Sequence, residues 1–591
     1  MILPRRRFLG TSFNLLGGTL LEMLATPLWK WNRSARVEAA VAASPSSPVQ
    51  FIDVAQKAGL NLPNVWGAVD HKRVIIETKG NGIAFFDYDN DGWLDIYMSN
   101  GNRLNTTWAP GTEPTTHLYK NNRDGTFTDV TERSGLKRTG WQTGICVGDY
   151  NNDGWDDLFC TFWGHNILFR NNGDGTFTDV TRQAGLAQEH GRWGTGCTFL
   201  DYDRDGHLDL FVCNFIKLDP DKPLSPQDMS FCQWKGIPTM CGPRGLPGDT
   251  DILYHNNGDG TFTDVSEKAG ILKPGPRYSI TAVSCDFDND GWPDIYVAVD
   301  SQPSMMFQNN HDGTFTDVAV MAGCAYNDDG HEQAGMGIGI ADYDCDGWLD
   351  IFKTNFADDT CDLYHNNGDG TFSDVSFTAG VGINNNYVAW GCGFIDYDND
   401  GWSDIVQVNG HVYPEVDKYN FGETFKNPRL VYRNLGNGHF KDVSAEMGPG
   451  ITERFSSRGA AFGDYDNDGG MDILVLNMND LPSLLHNTGS RQNWIKIKLI
   501  GTHCNRTAIG ARARVVTGKH AQINEVISGG SVMSQNDLRL HFGLGSAETV
   551  DVIEIKWPTT QKTERFTNVK ANQIITIREG AGTFVPFDLH S

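Results

Sequence analysis

Basic charge is what this sequence has least of. Its 591 residues carry 48 Lys and Arg against 74 Asp and Glu, a formal net charge of −26. Nucleic acid and anionic membrane surfaces both require a basic footprint, so neither is expected as a partner. Long apolar runs are also scarce: beyond residue 29 no segment approaches the length of a membrane span. The chain has no Cys-x-x-Cys pair, haem-attachment motif, Gly-x-Ser-x-Gly elbow, nucleotide-binding glycine loop or zinc motif. Each of these absences removes a class of enzyme. His165, His190, His331 and Glu332 remain as conceivable axial groups of a propeller enzyme, but His331 and Glu332 form an isolated pair without a spaced third ligand and read as polar residues facing solvent.

What is abundant is aspartate in a fixed pattern. Asp-x-(Asp/Asn)-x-Asp-Gly-x-x-Asp occurs seven times, each copy preceded by small and apolar residues and followed by a strand-like run. Positions 1, 3, 5 and 9 are Asp87, Asp89, Asp91 and Asp95; Asp149, Asn151, Asp153 and Asp157; Asp201, Asp203, Asp205 and Asp209; and Asp286, Asp288, Asp290 and Asp294. The remaining copies are Asp342, Asp344, Asp346 and Asp350; Asp396, Asp398, Asp400 and Asp404; and Asp464, Asp466, Asp468 and Asp472. Several carboxylates around one point, with a position-7 carbonyl beside them, make a hard oxygen shell that selects Ca²⁺ over softer metals. Up to seven Ca²⁺ are expected, and they would bring −26 to −12. The alternative is an Asp-rich turn held by side-chain to backbone hydrogen bonds alone, in which the packed carboxylates would repel one another. Asn151 makes the second site the weakest expected.

A second pattern follows each loop, seen as Leu118-Tyr119-Lys120-Asn121-Asn122-Arg123-Asp124-Gly125-Thr126-Phe127-Thr128-Asp129-Val130. Together they read as four short strands per repeat, joined by Gly-containing hairpin turns, which is the signature of propeller blades. The seventh repeat lacks its last strand, whereas Phe51-Ile52-Asp53-Val54 has that strand's sequence with no repeat before it. Joining the two termini closes a ring of seven blades and leaves no open sheet edge. Long insertions occupy residues 99–117, 214–251 and 409–430, always between the second and third strands and so on the face opposite the aspartate loops. Trp108, Trp234 and Tyr413 are candidate ligand contacts there. The recurrence of His255 and His365 at equivalent third-strand positions reads as blade packing.

Twelve cysteines suit an oxidising compartment. Cys232 with Cys241 is the leading disulfide. Cys146–Cys160 and Cys197–Cys213 are further candidates, each pair flanking an aspartate loop with the same sum of offsets, and buried free thiols are their alternative. From residue 491 the repeats give way to alternating apolar strands such as Trp494-Ile495-Lys496-Ile497-Lys498-Leu499, which suggest a small β-sandwich.

Pro4-Arg5-Arg6-Arg7-Phe8-Leu9-Gly10, ahead of an apolar stretch over residues 11–29, resembles a twin-arginine export signal, an uncleaved anchor being the alternative. The aspartate repeats resemble those of FG-GAP and integrin-type propellers. Asn505-Arg506-Thr507-Ala508-Ile509-Gly510-Ala511, Ser534-Gln535-Asn536, His541-Phe542-Gly543-Leu544-Gly545 and Trp557-Pro558 resemble the ASPIC/UnbV domain. The whole arrangement is similar to the cartilage acidic protein family in its bacterial branch. The resemblance implies a secreted calcium-binding protein with an adhesive or scaffolding role and no established reaction. The expected organisation is a signal over 1–43, a linker over 44–50, an FG-GAP/VCBS-type propeller over 51–490 with its last blade closed by 51–60, an ASPIC/UnbV-like domain over 491–580 and a tail over 581–591. The expected fold class is all-β, and the expected function is non-catalytic binding of a protein or polysaccharide in the periplasm, at the cell surface or outside the cell.

Overall fold

Short apolar runs punctuated by Gly and Asn leave little for helices to use, and the chain pairs them into antiparallel four-stranded units. A computed structural model describes residues 49–220, 222, 231–419, 422–489 and 491–587. The expected export signal over 1–43 lies outside the described residues, as do most of the linker and the end of the tail.

The first unit runs through Ile83–Phe86, Asp95–Met98, His117–Asn121 and Phe127–Asp129. Later units repeat the order, their innermost strands being Trp141–Gly148, Arg192–Leu200, Ser279–Cys285, Ile338–Ala341, Ala389–Ile395 and Ser457–Gly463. The unit that begins with Ser457–Gly463 takes its fourth strand from Phe51–Asp53, with Phe51 opposite Asn487. Each innermost strand packs on the next, and Ser457–Gly463 packs back on Ile83–Phe86, so the contacts form a closed cycle. The protein is an all-β propeller.

Two further sheets form the C-terminal part. One orders Leu540–Gly545, Asn493–Ile500, Gln573–Arg578 and Phe584–Pro586; the other orders His520–Glu525, Arg512–Thr517, Thr549–Lys556 and Thr563–Lys570. Their facing apolar residues, among them Ile497, Val515, Ile553 and Trp557, share one buried cluster with propeller residues Phe199 and Leu208.

Two of the expected disulfides are absent: Cys146, Cys160, Cys197 and Cys213 are buried free thiols. The offsets imply a hairpin register one residue away from the real one. Cys146 faces Phe159 and Cys160 faces Ile145, while Cys197 faces Val212. A one-residue slip turns a side chain to the other face of a sheet, and Cys146 and Cys160 accordingly sit in different apolar clusters. Cys232 and Cys241 are bridged on the hairpin Phe231–Trp234 and Ile237–Met240.

Candidate metal centres

Every aspartate loop joins the first and second strands of a unit, and its position-9 Asp is the first residue of the second strand. Gly at position 6 and the residue at position 4 both adopt positive φ, for example Gly92 at 85° and Asn90 at 55°. That left-handed pair folds the loop so that Asp87 Oδ1 accepts the Asp91 N–H at 2.9 Å and Oδ2 accepts the Gly92 N–H at 3.0 Å. Asp91 Oδ1 accepts from Trp93 N, and Asp95 takes Tyr88 N on Oδ2 and Asn121 N on Oδ1. The loops at Asp342 and Asp396 reproduce this wiring.

Position 3 is different. Oδ1 of Asp89, Asp203, Asp344, Asp398 and Asp466 is buried and has no hydrogen-bond partner, and Asp286 Oδ1 at position 1 is in the same state. A buried carboxylate oxygen without a donor is costly, and a bound cation or an ordered water would remove the cost. Electrostatics agree. Burial first, and neighbouring carboxylates after it, push Asp466 up to about 8 and Asp201 up to about 7. Burial also carries Asp209 to about 8 and Asp350 to about 7, against hydrogen bonds from His255 and His365 that work the other way. For Asp464 burial would raise the carboxyl, yet the Lys496 ammonium at 2.8 Å outweighs it and holds the group below its usual range.

These loops are linked around the ring by residues the sequence presents only as part of a turn. The last residue of each third strand is a buried Asn: Asn121, Asn171, Asn256, Asn309, Asn366, Asn434 and Asn487. Its N–H meets the position-9 carboxylate at 2.7–2.9 Å. Its Nδ2 donates to the position-2 carbonyl of the preceding loop, as Asn171 does to Tyr88 at 2.8 Å and Asn366 to Phe287 at 2.9 Å. Asn121 makes the closing bond, to Tyr465 O at 2.8 Å. The signal was present in the sequence: this Asn occurs in every repeat, including those where the rest of the turn degenerates to Leu435 or Thr488.

The C-terminal part docks on these same loops. Lys496 pairs with Asp464, Lys498 reaches Asp87 at 3.3 Å, Lys556 reaches Asp286 at 3.6 Å and Thr559 Oγ1 donates to Asp201 at 3.0 Å. Position-4 asparagines donate to the position-6 carbonyl of the next loop, as Asn90 does to Gly154. Where that residue is Arg204 or Cys345, the C-terminal part supplies the missing donor: Gln561 Nε2 to Gly291 O at 3.1 Å and His520 Nε2 to Gly401 O at 2.8 Å.

Residues 528–536 enter the axis itself. Phe85 N donates to Gln535 O, Ile145 N to Met533 O and Ile338 N to Ser531 O, each from an innermost strand. Val147 N donates to Gln535 Oε1, and Thr198 Oγ1 to Ser528 O. The other end of the axis is crossed by residues 66–80, where buried Lys79 meets Asp300 at 2.5 Å and Arg458 donates to Thr78 O. His165, His190, His331 and Glu332 are all exposed. Of the expected ligand contacts, Tyr413 is buried rather than exposed, because it packs with Trp234, Phe356 and His411 into a small aromatic core under the insertions. Trp108 is half-buried and donates to Asn102 Oδ1.

The FG-GAP-like repeat family matches residues 87–160, 149–212, 245–297, 286–353 and 424–475, and the ASPIC and UnbV family matches residues 501–584. The chain therefore shows the class of architecture in which FG-GAP-like repeats are followed by an ASPIC and UnbV domain. Within that class it is similar to cartilage acidic protein 1: the Homo sapiens protein is 27% identical over 331 residues, 54% of this chain and 46% of that protein. The Xenopus tropicalis protein is 27% identical over 284 residues, 46% of this chain and 40% of that one. These matches span about half the length of either relative. Among solved structures, an Agrocybe aegerita lectin that recognises non-reducing terminal N-acetylglucosamine is 16% identical at TM-score 0.36, covering 67% of this chain and 88% of its own. The BBS1N chain from its complex with ARL6DN is 10% identical at TM-score 0.39, covering 72% and 97%.

Proposed function

We propose that this is an exported, non-catalytic calcium-binding propeller of seven blades, which presents its insertion-bearing face to a protein or polysaccharide ligand. The observation that carries the metal reading is the repeated buried oxygen at position 3 with no donor. Side chains at positions 1, 3, 5 and 9 would hold each ion with the position-7 carbonyl, and the ion would add positive charge to carboxylates that Lys120, Arg433 and Lys496 neutralise only in part. Among the described residues no helix is long and apolar enough to cross a membrane.

The face assignment rests on occupancy. The ASPIC and UnbV domain covers the aspartate-loop face and fills the axis from that side, so the insertions at 99–117, 214–251 and 409–430 border the face left for a ligand. That His165, His190, His331 and Glu332 are exposed speaks against the propeller-enzyme alternative. A glycan and protein array with the full chain in calcium tests this reading. Binding that falls when the tip of the 231–241 hairpin is shortened supports it, and binding indifferent to changes in all three insertions contradicts it.

A further inference from the structure

The third-strand residue that faces each loop varies from unit to unit. The residue before the buried Asn is Lys120, Arg170, His255, Gln308, His365, Arg433 or His486, and all but Arg170, which donates to Asn172, meet a carboxylate of their own loop. Lys120 pairs with Asp89 and Asp91, Gln308 Nε2 donates to Asp288 at 2.9 Å, and Arg433 lies 3.0 Å from Asp398. None of these three offers an electron pair from nitrogen to a metal. A neutral imidazole does. His255 Nδ1 lies 3.4 Å from Asp203 Oδ2 and 3.2 Å from Asp209 Oδ1. His365 lies 3.7 and 3.3 Å from Asp344 and Asp350, and His486 lies 3.6 and 3.2 Å from Asp466 and Asp472. Two donors bound about 2.1 Å from one ion are themselves about 3.0–3.4 Å apart for octahedral to tetrahedral angles. The carboxylate-imidazole separations are close to that spacing. In the same three loops the position-3 Oδ1 is buried without a partner.

Resting on the calcium reading, we propose that the sites are of two kinds, and that the loops beginning at Asp201, Asp342 and Asp464 take a borderline divalent transition ion of the Zn²⁺, Mn²⁺ or Co²⁺ class through two carboxylates and one imidazole. Of the other four loops three offer oxygen alone and hold only hard cations. In the one beginning at Asp286 an exposed imidazole from the following turn, His311, meets Asp290 at 2.6 Å, but the residue before the buried Asn is Gln308, so no imidazole faces positions 3 and 9. Imidazole nitrogen favours first-row transition ions, whereas an all-oxygen shell suits Ca²⁺ and Mg²⁺.

Cobalt(II) serves as the probe, with the full chain stripped of metal by chelation and then given Co²⁺ in an excess of Ca²⁺. The expected result is three tightly held Co²⁺ per chain with a visible absorption band shifted from that of aqueous Co²⁺, as nitrogen ligation requires. The combined variant His255→Gln, His365→Gln and His486→Gln is expected to lose all three while retaining calcium stoichiometry at the other loops. Should that variant misfold, each single variant is expected to lose one Co²⁺. Cobalt uptake that is unchanged in the variants, or absent while calcium binds, overturns the proposal. A chain that binds cobalt in a histidine-dependent way but no calcium would instead defeat the calcium reading and leave this one standing.

Discussion

At the residue scale the position-3 aspartates and the ring of asparagines divide the work: one leaves oxygen atoms free, the other fixes where they are. Asn366 Nδ2 satisfies Phe287 O and Leu349 O at once. Its removal leaves two buried carbonyls without donors, at about 1–3 kcal/mol each. Asn366→Ala is therefore expected to lose about 2–4 kcal/mol in denaturant unfolding with calcium present. The same change at exposed Asn122 is expected to cost under about 0.5 kcal/mol. The carboxylates make a second prediction. Asp149, Asp201 and Asp350 are held at about 7 and Asp209 at about 8, mainly by burial. Folded values above the unfolded ones mean that the folded state binds more protons between about pH 4 and 8, so stability falls as pH rises through that window. In chelator the melting temperature is expected to drop from pH 5 to pH 8; in excess calcium, which binds only the ionised form, that drop is expected to vanish or reverse.

At the scale of elements, the aspartate loops, the four-strand repeat and the closure by Phe51–Asp53 were legible, because each is written in contiguous spacing. What spacing could not supply was register to the residue. Cys146 and Cys160 looked like partners until Ile145 proved to face Cys160, and one residue decides which side of a sheet a thiol occupies. Strand-end asparagines were read as turn residues because their second role, reaching a neighbouring loop, depends on contacts between blades. The docking of the C-terminal part was equally hidden. Its words were recognisable, but Gln561 and His520 acquire meaning only beside the carbonyls that Arg204 and Cys345 leave unpaired. Gly82 shows how close that docking is: a Cβ there would lie 1.6 Å from the Met533 carbonyl. Gly82→Ala is expected to push residues 528–536 from the axis and cost at least the upper end of the about 1–3 kcal/mol typical of overpacking. Faster proteolytic release of the C-terminal part would register it. Unchanged melting and proteolysis would mean that the axial segment contributes little.

Over the whole molecule, charge is arranged in layers. Residues 491–591 contain 13 Lys and Arg against 8 Asp and Glu, so the acidity belongs to the propeller and the basic surplus to the domain capping its loops. Ammonium groups such as Lys496 and Lys498 neutralise first-position aspartates from above, and they leave position 3 untouched. On the calcium reading, cap and cation would stabilise the same face by different means. Losing the cations is expected to loosen the cap as well as the blades, which limited proteolysis in chelator would show as early cleavage near residue 490.

Calcium counted on the full chain, with its melting temperature followed as the metal is removed, tests the central claim most directly. Metal analysis after exhaustive dialysis against micromolar Ca²⁺ is expected to find several bound ions, up to seven, with the melting transition falling by many degrees in excess EDTA and returning on recalcification. A chain that retains no calcium and melts at the same temperature with and without EDTA would contradict it.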